Sequence, residues 1–315
     1  MTRRDLEAYA SELGFVACGV ASLEPSRRGD ALDRWLAAGY AGTMRYLHRQ
    51  AGKRKAPGDI VPDARVAVVV LDNYLPRDQW SGIRDHEAVV KIAKYARGED
   101  YHRVLKQRLE LLADWLRARG ARVAATWTDA GPVPERELAE RAGLGWIGKN
   151  TMLIRPNAGS FCFIGTVFTE LPLEPTATAE YDRCGSCTRC LDACPTGALV
   201  EARVLDATRC ISYLTIESPL PIPDSLVGKL GGWGFGCDVC NDVCPWNVRF
   251  AEATPIEAYQ DRHAIASEDP ECFARLSEAE FAERFGDTPL ERPGLAGMRR
   301  NWAAAFHSLS TRNPA

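Results

Sequence analysis

Hydrophobic and polar positions along the first 175 residues predict alternating helices and strands. Asp5 to Leu13 repeats at helical spacing, and Gly14 leads into a short apolar strand from Phe15 to Val20. Asp30 to Ala38 is a second helix, stopped by Gly39. Arg65 to Leu71 has no polar position after its first, the pattern of a strand covered on both faces. Val89 to Ala96 predicts another strand. Tyr101 to Arg119 is the longest helix, with Val104, Leu105, Leu109, Leu112 and Leu116 on one face and Gly120 closing it. A strand (Val123 to Trp127), a helix (Glu135 to Ala142) and two strands (Met152 to Ile154, Phe161 to Phe168) complete an α/β (α+β) domain with a mostly buried sheet.

Leu171 to Thr178 is proline-rich and aperiodic, which predicts a linker. The expected division is therefore a catalytic domain over 1–175, a cysteine-rich module over 176–250 and a helical segment over 251–315. In that last segment Glu278 to Arg284 and Gly297 to His307 are amphipathic and should pack back on the body.

Composition narrows the function. The 315 residues are 46% hydrophobic and 26% charged, and 39 basic against 42 acidic residues leave a net charge of −3. A general polyanion-binding coat does not follow from that balance, although a local basic patch does not conflict with it. Arg3-Arg4 is followed by Asp5-Leu6-Glu7 rather than an apolar stretch, so an export leader is not expected and the cytoplasm is. The longest aliphatic run, Val66 to Leu71, is too short to span a bilayer.

Of 11 cysteines, eight fall between Cys184 and Cys244. Cys184, Cys187, Cys190 and Cys194-Pro195 reproduce the bacterial ferredoxin run, in which the fourth thiolate serves a second cluster. Cys237, Cys240 and Cys244-Pro245 form a second run one cysteine short, and Cys210 completes the count. Reciprocal wiring predicts two 4Fe-4S clusters, one on Cys184, Cys187, Cys190 and Cys244, the other on Cys194, Cys210, Cys237 and Cys240. The alternative, a pair of four-thiolate zinc sites, leaves the two CxxxCP endings unexplained. Cys18, Cys162 and Cys272 read as small core residues. GLGWIGKN (Gly143 to Asn150) imitates nucleotide-binding loops, but it follows a helix, leads into a strand and has Asn150 in place of a P-loop hydroxyl.

MRYL (Met44 to Leu47), YARGEDYH (Tyr95 to His102) and ERAGLGWIGKNTML (Glu140 to Leu153), together with the cysteine wiring, resemble the epoxyqueuosine reductase family over about residues 1 to 250. The resemblance implies an N-terminal cobalamin-binding domain of the nitroreductase and reductive-dehalogenase kind, fed electrons by a two-cluster ferredoxin-like domain. It also implies the reaction, reduction of an epoxide on the modified wobble base of tRNA to an alkene with loss of water. Carried over by motif, the proton donor is Asp129 in TWTDAGPVPER, with a helix or turn cap as the structural alternative. A desolvated pocket is expected around it. Arg54, Asp129, Leu153, Ile164, Ser212, Cys237 and Asp238 match positions near cobalamin or between it and the clusters, and Lys149 and Asn150 belong to the same motif's turn. His102 reads as structural. No DxHxxG motif is present, so the resemblance implies cobalamin without a protein ligand on cobalt.

Arg299-Arg300-Asn301 departs from the family's C-terminal pattern, and the helical-repeat extension of some members is not expected, which leaves tRNA docking open. Arg45, His48, Arg49, Lys53, Arg54 and Lys55 form one candidate basic patch for tRNA, and Lys91, Lys94, Arg97, Arg103, Lys106 and Arg108 a second. The expected partners are tRNA and an external flavodoxin- or ferredoxin-type donor, with the chain a monomer and no membrane partner. The competing readings are a dehalogenase-like cobalamin enzyme acting on a small molecule, a non-catalytic iron–sulfur carrier, and a tRNA-binding scaffold with structural clusters.

Overall fold

The computed structural model describes residues 2–77, 90–177, 182–262 and 271–310. Its centre is a four-stranded antiparallel sheet in the order Ala17–Ser22, Val66–Asn73, Cys162–Thr169, Ala124–Trp127. Helices cover both faces, which explains why Val66 to Leu71 is apolar at both parities. Val66, Val68 and Val70 pack with Leu6, Leu105, Leu109 and Leu112 from helices Arg3–Glu12 and Tyr101–Arg117. Ala67, Val69 and Leu71 pack with Leu138, Ala139 and Ala142 on the opposite face, beneath helix Glu135–Arg141.

The helices sit close because glycines admit them. A Cβ on Gly165 would stand 2.8 Å from Leu109, and one on Gly19 would stand 2.3 Å from the Ala142 carbonyl. The predicted elements of this half recur with boundaries shifted by at most two residues, except for one. Val89 to Ala96 is not a continuous strand: Val89 lies outside the described residues, Lys91–Ile92 is the extended part, and Lys94–Ala96 turns as a 3-10 helix. The turn carries the Lys94 backbone to a buried carboxylate in the cysteine-rich segment.

The chain's regions are closely joined. Lys91–Ile92 pairs in parallel with Trp233–Phe235, and helix Gly294–Ser310 packs over that pair. Val90, Ile92, Phe235, Phe273, Phe281, Met298 and Trp302 form one core from all three regions. Arg299-Arg300-Asn301 faces inward as a brace. Arg300 donates to the carbonyls of Leu214, Ser218 and Leu220, and Asn301 donates to that of Thr215. The end of the proline-rich linker, Thr178, and Tyr181 fall outside the described residues. Among those that are described, no helix is long and apolar enough to cross a membrane.

Candidate active site and cysteine constellation

Asp129 follows strand Ala124–Trp127 with φ +45°, a left-handed conformation that a residue with a side chain adopts only when held there. Tyr101 Oη donates to Asp129 Oδ2 at 2.5 Å, and the Asp129 backbone N–H donates to Glu135 Oε1 at 2.7 Å. Tyr101 is itself held by stacking on Phe163, ring centres 4.1 Å apart. His102 Nε2 lies 4.0 Å from Asp129 Oδ2, while its Nδ1 faces Asp100 at 2.8 Å. Burial lowers the basicity of His102, but the Asp100 hydrogen bond and charge outweigh it and raise its pKa.

The carboxylate of Asp129 is therefore not a helix cap, since helix Glu135–Arg141 starts after Pro134 without a side-chain cap. Nor is it enclosed in a desolvated pocket. Its side chain is 68% exposed, so the site is open on the Asp129 side.

Arg54 reaches the same loop from helix Ala51–Lys55. Its guanidinium donates to the carbonyls of Gly131 at 2.9 Å and Val133 at 3.4 Å. Burial lowers its pKa, against the charges of Tyr46, Glu135 and Asp129. Arg54 Nε, Gln50 Oε1, Trp127 Nε1 and Thr128 Oγ1 are buried polar atoms without a hydrogen-bond partner. They cluster on the helix and strand that flank Asp129, the kind of unfilled bonding capacity that a polar cofactor edge satisfies. Leu153 and Ile164 lie on the same side of the sheet with Trp127 and Val133. Sequence reasoning brought Asp129, Arg54, Leu153 and Ile164 to this region; it missed Tyr101 and Glu135 and read His102 as structural. Tyr101 and His102 stand inside the YARGEDYH string, which was the available signal.

The cysteine module is keyed onto the sheet domain by polar side chains. Lys149 Nζ donates to the carbonyls of Gly185 at 2.6 Å and Cys187 at 3.0 Å, and Asn150 Nδ2 reaches Asn241 Oδ1 at 3.3 Å. This is the use made of the GKN turn, which lies between helix Glu135–Arg141 and strand Leu153–Ile154. On the other side Asp238, almost fully buried, accepts from the Lys94 backbone N–H at 2.7 Å, with Lys94 Nζ at 3.7 Å. Burial raises the pKa of Asp238, and the Lys94 ammonium opposes it.

Most of the thiols have pKa values raised by burial, and the sulfurs felt by each sort into neighbourhoods. Cys190 feels Cys184 and Cys244, and Cys244 feels Cys184 and Cys187. Cys237 feels Cys240 and Cys210, while Cys240 feels Cys210 and Cys194, with Cys190 bordering both groups. Burial raises the Cys210 thiol, and Ser212 opposes that rise. Cys194 differs: burial raises it, but hydrogen bonds from Leu199, Thr196 and Ala198 outweigh this and lower it. Among the described residues no three His, Cys, Asp or Glu side chains converge on a single metal ion. Cys18 and Cys162 pack in apolar cores, and burial pushes both thiols up to about 12.

Residues 183–247 match a family described as a 4Fe-4S double cluster binding domain, and residues 54–129 match the family described as epoxyqueuosine reductase QueG. The chain is 38% identical over 313 residues to the epoxyqueuosine reductase of Pseudomonas aeruginosa, covering 99% of this chain and 86% of that protein. It is 39% identical over 294 residues to the one from Cyclobacterium marinum, covering 93% of each. A crystal structure of epoxyqueuosine reductase with a tRNA-Tyr epoxyqueuosine-modified stem loop matches with a TM-score of 0.90 at 32% identity, over 98% of this chain and 81% of that one. The enzyme from Bacillus subtilis, with its catalytic aspartate loop swung out of the active site, matches with a TM-score of 0.87 at 31% identity, over 98% and 82% of the two chains.

Proposed function

Because the chain belongs to the epoxyqueuosine reductase family and is an oxidoreductase, we propose that it reduces the epoxide of epoxyqueuosine at the tRNA wobble position to the alkene of queuosine. Two electrons and two protons convert the epoxide to the alkene and water. The observation that carries this reading is the exposed carboxylate of Asp129, held in a strained loop by Tyr101 and Glu135. A carboxyl so placed can protonate the oxygen as the C–O bond breaks, and a base docked over it would supply the desolvation that the free site lacks.

The division of labour follows the three expected segments. Residues 1–175 would hold cobalamin and 176–250 two 4Fe-4S clusters, and within 251–315 Arg300 and Asn301 brace the body. When bound, cobalamin would supply low-potential electrons at the substrate. Arg54, Leu153 and Ile164 border the region that would hold it, and Ser212, Cys237 and Asp238 would lie between it and the clusters. The neighbour pattern among the sulfurs supports one cluster on Cys184, Cys187, Cys190 and Cys244, and another on Cys194, Cys210, Cys237 and Cys240. Repulsion among closely set buried thiolates needs a compensating cation, which iron supplies. Electrons would come from an external flavodoxin- or ferredoxin-type donor.

The deciding experiment is anaerobic turnover of epoxyqueuosine-containing tRNA by reconstituted protein, with and without cobalamin, read by mass spectrometry of the nucleosides. The expected result is cobalamin-dependent loss of one oxygen. An intact nucleoside with both cofactors bound would favour a small-molecule substrate.

A further inference from the structure

We propose that Glu135 is the positioning residue of the proton-donor loop: its carboxyl oxygen holds the Asp129 backbone N–H and so sets where the Asp129 carboxyl stands. The inference rests on the reading of Asp129 as proton donor. Glu135 is the first residue of helix Glu135–Arg141, where a side chain ordinarily faces solvent or its own helix's free N–H groups. Here it reaches backward across the turn and accepts from residue 129 at 2.7 Å. The residue is half-buried.

The rest of the loop is fastened independently. Arg54 holds the Gly131 and Val133 carbonyls, and the Trp127 ring covers Gly131, where a Cβ would stand 2.5 Å from it. The contact made by Glu135 is thus the restraint on the main chain of Asp129 itself, at the residue whose φ of +45° requires one. A second hold, the Tyr101 hydroxyl, acts on the side chain.

The chemistry of the pair is consistent with positioning. Burial, then the charge of Asp129, raises the Glu135 carboxyl to about 8, against the Asp129 N–H bond, Arg136 and Arg54; Tyr101 also faces it. The upward shift favours the uncharged acceptor form, which places less negative charge beside the donor. Glutamine reproduces that state, keeping an acceptor oxygen with no charge, whereas alanine removes the acceptor.

The test compares wild type, Glu135→Gln and Glu135→Ala at equal iron and cobalamin content. Hydrogen exchange at the Asp129 amide needs no turnover. It should be slow in wild type and Glu135→Gln and at least tenfold faster in Glu135→Ala. With epoxyqueuosine tRNA, Glu135→Ala should lose tenfold or more in kcat with KM within threefold, and Glu135→Gln should stay within threefold of wild type in both. Should Glu135→Ala fail to fold, the shortened Glu135→Asp should show the same exposed amide. Unchanged amide protection in the alanine variant, or a glutamine variant as impaired as the alanine one, would overturn the assignment. Absence of turnover by wild type would count against the proposed reaction and leave the exchange result standing.

Discussion

Asp129 costs the fold something before it does anything for a substrate. A non-glycine residue in the left-handed region is disfavoured by about 1–3 kcal/mol. The Tyr101 hydroxyl and the Glu135 carboxyl offset that cost and place an exposed carboxyl beside Arg54. Asp129→Asn keeps the shape but removes the transferable proton. It should retain both cofactors and lose about 10²–10⁴-fold in turnover, the usual scale for a general acid; full activity would remove Asp129 from the mechanism. Tyr101→Phe leaves stacking on Phe163 intact and deletes one bond to the carboxylate. Its kcat should fall about tenfold, the scale of one charge-assisted hydrogen bond, with cofactor content unchanged.

Short helices carry most of the cysteine module: Arg189–Ala193, Ile211–Ile216, Val239–Asp242 and Pro245–Phe250. Helices of four to six residues are not stable alone, so their sequences carry little periodic signal. They are kept in place by the turns between cysteines, by the bonds from Lys149 and Asn150, and by Arg300 and Asn301 at the end of Ile211–Ile216. Cys210 precedes that helix as its cap residue, distant in sequence from both runs. Cys210→Ala should lose one of the two clusters, so iron per chain should fall to about half of wild type; wild-type iron would break the proposed wiring.

The charge pattern resolves at the scale of the molecule. Of the two basic strings, the one around YARGEDYH is largely structural. Lys94 pairs with Asp242 at 2.6 Å, Arg97 with Asp261 at 3.5 Å, and Arg108 with the fully buried Asp72 at 2.5 Å. Arg45, His48, Arg49 and Lys53 remain exposed, on the short helices that also carry Arg54 toward Asp129. Replacing Arg45, Arg49 and Lys53 by alanine should weaken tRNA binding and flatten its salt dependence by about 0.7–0.9 in log–log slope per lost phosphate contact. Lys94→Ala should act through the fold instead. Removing one member of a buried ion pair costs about 3–5 kcal/mol, which thermal denaturation would read as a lower Tm.

Local and periodic features are legible in the amino-acid sequence by itself. The doubly covered strand Val66–Asn73, the long helix with Leu105, Leu109, Leu112 and Leu116 buried on one face, and the cysteine spacing all follow from repeat length and covalent reach. The resemblance carried by YARGEDYH and ERAGLGWIGKNTML points to Asp129. Tertiary packing alone decided the rest. It turned one basic string inward because the buried carboxylates of Asp72 and Asp238 needed partners, and it broke the Val89 to Ala96 run so that Lys94 could reach Asp238. It also brought Tyr101 and Glu135, 28 and 6 residues away along the chain, onto one aspartate. Spacing along a chain determines which groups are available, whereas desolvation and the need to pair buried polar atoms determine which of them meet.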